Sequence, residues 1–175
     1  QASTGQSSCT DASAGYYVGS TAATAQTACS AGTYNANTGS TSSSACTDTD
    51  AGYYSAAGAA SQTACAAGTY QASTGQSSCT DASAGYYVPT TAATAQTECA
   101  AGTYQASTGQ SSCTDASAGY YVSSTAATSQ AACAAGTYQA STGQASCTDA
   151  SAGYYVPTTA ATAQTACTAG TYNSN

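Results

Sequence analysis

The sequence predicts a small disulfide-rich all-β tandem repeat, drawn out as an elongated rod or fibre of short hairpins with no single large core. Three observations carry that prediction. Ten cysteines recur at regular spacing, one motif repeats along all 175 residues, and Leu, Ile, Met, Phe and Trp are absent.

The missing side chains are those from which an ordinary domain of this length builds its interior. The hydrophobic fraction of 42% comes almost wholly from Ala, Tyr and Cys, with four valines. Alanine buries too little surface to offset backbone ordering at roughly 1–2 kcal/mol per residue. The even number of cysteines therefore reads as a disulfide framework in an oxidising compartment. A zinc site is the competing use of cysteine. With no His and no CxxC pair, it would need all-thiolate sites drawn from widely separated residues.

The net charge of −7 arises with no Lys or Arg. Without cations to neutralise phosphate, binding to nucleic acid or to an anionic membrane is excluded as a function. No apolar run approaches the roughly 20 residues of a membrane span, so membrane insertion is not expected. Catalysis finds no support either: there is no His, Lys or Arg, no nucleophile beside a base and no close carboxylate pair. The sequence predicts no enzyme and no cofactor.

Residues 65–98, 99–132 and 133–166 are near-copies, since Cys65, Cys99 and Cys133 stand 34 apart. The array divides at 1–28, 29–64, 65–98, 99–132, 133–166 and a partial 167–175. Short segments such as Cys65 to Cys79 alternate with long ones such as Cys79 to Cys99, and each contains an Ala-Gly followed by tyrosine. Aligning on Ala-Gly exposes a pseudo-period of 17, in which Cys65 superposes on Ala82 and Cys79 on Gln96. The same paired replacement occurs at Ala12/Gln26, Ala116/Gln130, Ala150/Gln164 and, with one residue deleted, Thr49/Gln62.

Cysteines lost in pairs are cysteines bonded in pairs, because losing one alone leaves a reactive thiol. The preferred pairing is thus Cys29–Cys46, Cys65–Cys79, Cys99–Cys113 and Cys133–Cys147, with Cys9 and Cys167 bonded to cysteines outside the window. A rival scheme closes the long segments and satisfies every cysteine inside it: Cys9–Cys29, Cys46–Cys65, Cys79–Cys99, Cys113–Cys133 and Cys147–Cys167. Joining the end of the sequence to its start would space Cys167 and Cys9 by 17, like Cys29 and Cys46, as a continuing array would.

Helical periodicity is absent, while Thr, Tyr and Val cluster after each Ala-Gly and polar Gly-containing turns follow. Short strands in hairpins are expected, with Ser73-Thr74-Gly75-Gln76 as a turn and Pro89 and Pro157 at edges. Tyrosine is the only large side chain. Tyr70, Tyr86, Tyr87, Tyr104, Tyr120 and Tyr121 are read as miniature cores laid over the disulfide and the Ala-Gly backbone, with wet hydroxyls. Gly68 and Gly85 are expected to permit close ring approach or a positive φ.

Ser and Thr make up about a third of each period, beside Ala and Pro. Such stretches suit O-glycosylation, and Thr90, Thr91, Thr94, Thr97, Thr125, Thr128, Thr158, Thr159 and Thr162 are the candidate sites for covalent O-glycans. The alternative is that these hydroxyls only keep a thin β structure soluble. The Cys-Thr-Asp motif supplies Asp11, Asp48, Asp81, Asp115 and Asp149 once per period, with Asp50 and Glu98 extra. Calcium needs several converging carboxylates, so solubility or turn capping is their expected role and no metal is predicted.

At CxAGTYxxxTGxSSC the chain resembles ephrin-receptor-like cysteine-rich repeats, which are similar in style to tumour-necrosis-factor-receptor modules. The family pattern commonly reads CxxCxAGTY, and here Cys79 keeps the first cysteine while Ala82 stands at the second. Similar arrays occur in giant surface proteins of microbes. The resemblance implies an extracellular or cell-surface structural protein: the repeat of a filament, stalk or coat, whose partners are itself and glycans. The alternative is an adhesin or receptor-like ectodomain that binds sugars along its tyrosines.

Overall fold

The computed structural model describes residues 3–173. At nine of the ten places where Ala-Gly precedes a Thr-Tyr or Tyr-Tyr pair, that pair forms one strand of a minimal antiparallel hairpin; Thr171-Tyr172 is the exception. The first four hairpins pair Tyr16–Tyr17 with Thr27–Ala28, Thr33–Tyr34 with Thr47–Asp48, Tyr53–Tyr54 with Thr63–Ala64, and Thr69–Tyr70 with Thr80–Asp81. The next five pair Tyr86–Tyr87 with Thr97–Glu98, Thr103–Tyr104 with Thr114–Asp115, Tyr120–Tyr121 with Ala131–Ala132, Thr137–Tyr138 with Thr148–Asp149, and Tyr154–Tyr155 with Thr165–Ala166. The fold is a small disulfide-rich all-β repeat of two-stranded sheets.

The hairpins fall into two units. One runs from the start of the described chain to Asp81 and includes Thr90–Ala95; the other comprises Ala82–Pro89 and the chain from Gln96 onward. A hairpin with two-residue strands is not stable alone, and within each unit backbone groups tie it to the next. In the first unit, the Gly52 and Ser55 amides of the third hairpin donate to the Gln71 and Gln76 carbonyls of the fourth, at 2.7 and 3.2 Å. In return the Gly75 amide donates to the Thr49 carbonyl at 2.8 Å. The second unit repeats this between its Thr103–Tyr104 and Tyr120–Tyr121 hairpins: Gly102 to Val122, Gln105 to Ala127 and Ala126 to Cys99, at 2.8, 3.0 and 2.9 Å. Backbone bonds of this kind satisfy groups that side chains as small as these could not cover.

At Gly15, Gly32, Gly52, Gly85, Gly102 and Gly119 the glycine of the Ala-Gly is where the turn of the hairpin two places further on packs. Gly52, with φ +85°, lies so close to the Ala92 carbonyl that any Cβ would overlap it, and Gly85, with φ +84°, stands in the same relation to Ala126. Positive φ at these glycines accords with expectation, but the approaching group differs. It is a turn carbonyl and not a tyrosine ring, because a two-residue strand is too short to keep the next turn away. A ring does approach a turn glycine elsewhere. The Tyr16 hydroxyl and Cζ lie 2.9 and 3.1 Å from the Cβ position of Gly58.

Within each unit two sets of small residues form what core there is. One is the first residue of each hairpin: Ala12, Cys29, Thr49, Cys65, Ala82, Cys99, Ala116, Cys133 and Ala150 are all buried. The other follows the tyrosine pair and includes the buried Asn35, Ser55, Val88, Val122 and Val156. A 3-10 turn at Ser43–Ala45, capped by the Ser42 hydroxyl accepting from the Ser44 amide, absorbs extra residues of the Cys29–Cys46 segment.

The turns of the long segments hold Ala22, Ala92, Ala126 and Ala160 at φ +58°, +55°, +53° and +57°, where the short segments use glycines such as Gly75 at φ +70°. An L-residue in this region costs roughly 1–2 kcal/mol. Ala92→Gly together with Ala126→Gly is therefore expected to stabilise the fold by about 1 kcal/mol per site, read as a raised urea midpoint with an unchanged slope.

Candidate functional site: staples, clamps and exposed hydroxyls

The disulfides are Cys29–Cys46, closing 17 residues, and Cys65–Cys79, Cys99–Cys113 and Cys133–Cys147, each closing 14. Their Cα atoms lie 5.7–5.8 Å apart, within the usual range for the bond. The first cysteine of each pair is buried among the core residues and the second is half-buried. Cys9 and Cys167 have no cysteine partner among the described residues.

Where the cysteines are replaced, the structure supplies a non-covalent equivalent that sequence reasoning missed. Gln96 stands at the position of Cys79, and its Oε1 accepts the Ser83 amide at 2.7 Å, next to Ala82 at the position of Cys65. Gln26, Gln130 and Gln164 bind the Ser13, Ser117 and Ser151 amides at 2.7–2.8 Å. Gln62 binds the Asp50 amide at 2.8 Å and donates its Nε2 to the Asp50 carboxylate at 2.7 Å. The signal was in the sequence: the second replaced position is glutamine every time, although serine, threonine or alanine would serve a merely soluble surface.

Disulfide staples and glutamine clamps thus alternate along the chain, closing the same part of successive hairpins. Ala82→Cys with Gln96→Cys is accordingly expected to form a new disulfide across the same number of residues as Cys65–Cys79. It should raise stability by about 3 kcal/mol under oxidising conditions, with no gain after reduction. Free-thiol titration paired with denaturant melts measures both.

The nine candidate glycosylation threonines are all exposed: Thr90, Thr91, Thr94, Thr97, Thr125, Thr128, Thr158, Thr159 and Thr162. Five other threonines are committed to the fold through their hydroxyls. The Thr33, Thr69, Thr103 and Thr137 hydroxyls donate to the carbonyl three residues back at 2.8–2.9 Å. The Thr49 hydroxyl is buried, donates to the Gln76 carbonyl at 3.3 Å and accepts the Gln76 amide at 3.0 Å. The candidates differ from these five in having exposed hydroxyls with no bond to the fold, and they lie on both sides of the Ala-Ala turns.

Tyr70, Tyr86, Tyr87, Tyr104, Tyr120 and Tyr121 are half-buried. No buried side-chain polar atom lacks a partner among the described residues, so phenol groups without protein partners face solvent. The carboxylates of Asp48 and Asp115 sit over the turn glycines Gly75 and Gly143, 3.5 Å from the Cβ position. Among the described residues no three of His, Cys, Asp and Glu gather as metal ligands would. None of the helices among them is long and apolar enough to cross a membrane.

Short hairpins, recurring disulfide staples and buried residues that are small define the class: a cysteine-rich, disulfide-stapled tandem-repeat protein. More particularly, residues 52–99 match the family model described as tyrosine-protein kinase ephrin type A/B receptor-like. That span holds a clamped hairpin, the Cys65–Cys79 staple and the following clamped hairpin, and over it the chain is similar to those receptor modules. No curated protein matches the chain.

Proposed function

We propose that the chain is a structural repeat of an extracellular or cell-surface filament, stalk or coat, non-catalytic, with O-linked sugars on its turn threonines and with itself as partner. The observation that carries this reading is the bonding of hairpin to hairpin within each unit by one recurring set of backbone groups. Such a scheme extends by simple addition, as solenoid arrays do. The exposed, unbonded threonine hydroxyls support the glycan coat, and the disulfides support an oxidising location.

Electron microscopy tests the architecture: uniform fibres or stalks are expected, and discrete particles retained on a glycan array would overturn it. Peptide mapping of natural material tests the coat. The chain lacks Lys and Arg, so cleavage after tyrosine is the suitable digestion. The peptide 88–104 is expected to carry added hexose, and its unmodified mass alone would overturn the proposal.

One observation favours a second reading. The match of residues 52–99 to a receptor ectodomain family fits an adhesin or receptor-like ectodomain with solvent-facing tyrosine edges as sugar contacts. The glycan array decides between the two.

A further inference from the structure

Where the third hairpin meets the fourth, inside the first unit, an open cleft of about 380 Å³ lies between them. That volume is within the roughly 300–1,000 Å³ of small-molecule sites. Tyr54 and Ala64 of one hairpin and Thr69, Ser77, Ser78 and Cys79 of the other line it. The Tyr54, Ser77 and Ser78 hydroxyls bond to no protein group among the described residues. The Thr69 hydroxyl donates to the Ala66 carbonyl at 2.9 Å and keeps its acceptor lone pairs. The lining contains no Asp or Glu, and the chain has no Lys or Arg.

This combination is not general to the array. Tyr17, Tyr54, Tyr87 and Tyr121 hold equivalent places, but Glu98 replaces Ala64 after Tyr87, Ala145 replaces Ser77 after Tyr121, and Ala45 replaces Ser78 after Tyr17. Of these four junctions, only the one after Tyr54 joins a small residue on the strand to both serines.

We infer that this cleft takes one neutral hexose unit of a glycan, an assignment that rests on the sugar-binding ectodomain reading and gives it a site. A pyranose has a face of weakly positive C–H groups, which suits the negative face of an aromatic ring, and an edge of hydroxyls that both donate and accept. Tyr54 supplies the ring, while Ser77, Ser78 and the lone pairs of Thr69 supply the edge contacts. The ligand is neutral because a carboxylated or sulfated sugar would find no cation in a chain of net charge −7. A purely apolar ligand would strip water from these hydroxyls without replacing its bonds.

The test uses the 175-residue chain with the methyl glycosides of glucose, galactose and mannose as probes, and with methyl glucuronide and a proline-rich peptide as comparisons, read by saturation-transfer NMR and titration. At least one neutral hexoside should bind, and the glucuronide and the peptide should not. Ala64→Glu, which fills the cleft and adds an anion, should abolish hexoside binding, and Ser77→Ala should weaken it about fivefold, the loss of one hydrogen bond. Both variants should fold, because Glu98 and Ala145 already stand at those positions elsewhere in the chain; intact internal disulfides check this. Undiminished binding by either variant, or retention on a glycan array with no hexoside bound, overturns the cleft and leaves sugar binding standing. Preference for the glucuronide or the peptide overturns the neutral-hexose assignment. Binding neither to a hexoside nor to the array overturns the cleft and the sugar-binding reading together.

Discussion

Reducing the four disulfides is expected to unfold the protein without added denaturant. Each closes a loop of 14 or 17 residues and contributes roughly 3 kcal/mol in the chain-entropy account. Four together reach about 12 kcal/mol, within the 5–15 kcal/mol that holds an ordinary domain folded. Here the buried residues are mostly Ala, Cys and a few Val, so little hydrophobic stabilisation remains once the staples open. The tyrosine near-ultraviolet dichroism should collapse on adding dithiothreitol. A reduced chain that kept this signal up to several molar urea would show that the backbone bonding between hairpins suffices by itself.

Gly85→Ala is expected to cost about 2–5 kcal/mol. The methyl must adopt a left-handed φ, at roughly 1–2 kcal/mol, and it must displace the Ala126 carbonyl against which Gly85 packs, an overpacking cost of typically 1–3 kcal/mol. Gly153→Ala is the matched control. Its φ is +81° but its Cβ would meet open space, so only the conformational cost remains, about 1–2 kcal/mol. Urea titrations of the two variants separate backbone strain from hairpin-on-hairpin packing. Equal losses would mean that the carbonyl contact contributes nothing.

Much of the local structure was legible because one residue pattern does one job throughout. Ala-Gly ahead of a tyrosine placed the first strand of every hairpin, and the absence of Leu, Ile, Met, Phe and Trp excluded a large core. The family resemblance was legible in the spacing of Gly, Tyr and Cys around Cys65 and Cys79, within the span that matches the receptor-like model. What ties hairpin to hairpin was not legible, since the Gly52, Ser55 and Gly75 amides and their acceptors belong to the backbone. Ala92 at a positive φ went unseen because alanine gives no sign of that conformation. Gln96 was read as a lost cysteine, whereas its Oε1 accepts the Ser83 amide, ahead of the first strand, and closes the hairpin by hydrogen bond.

The alternation of staple and clamp fixes how the chain answers tension. A clamped hairpin is held by hydrogen bonds alone and opens under load, while a stapled one keeps the chain between its cysteines, a sequence separation of 14, out of the load path. Of the 34 residues from Cys65 to Cys99, about 20 can then be drawn out, roughly 70 Å per period at about 3.5 Å per residue. A further 50 Å or so is released only when the sulfur bridge is cut. Pulled from its two ends, the protein should lengthen readily to a definite limit and then stiffen, with that limit set by the redox state of its surroundings.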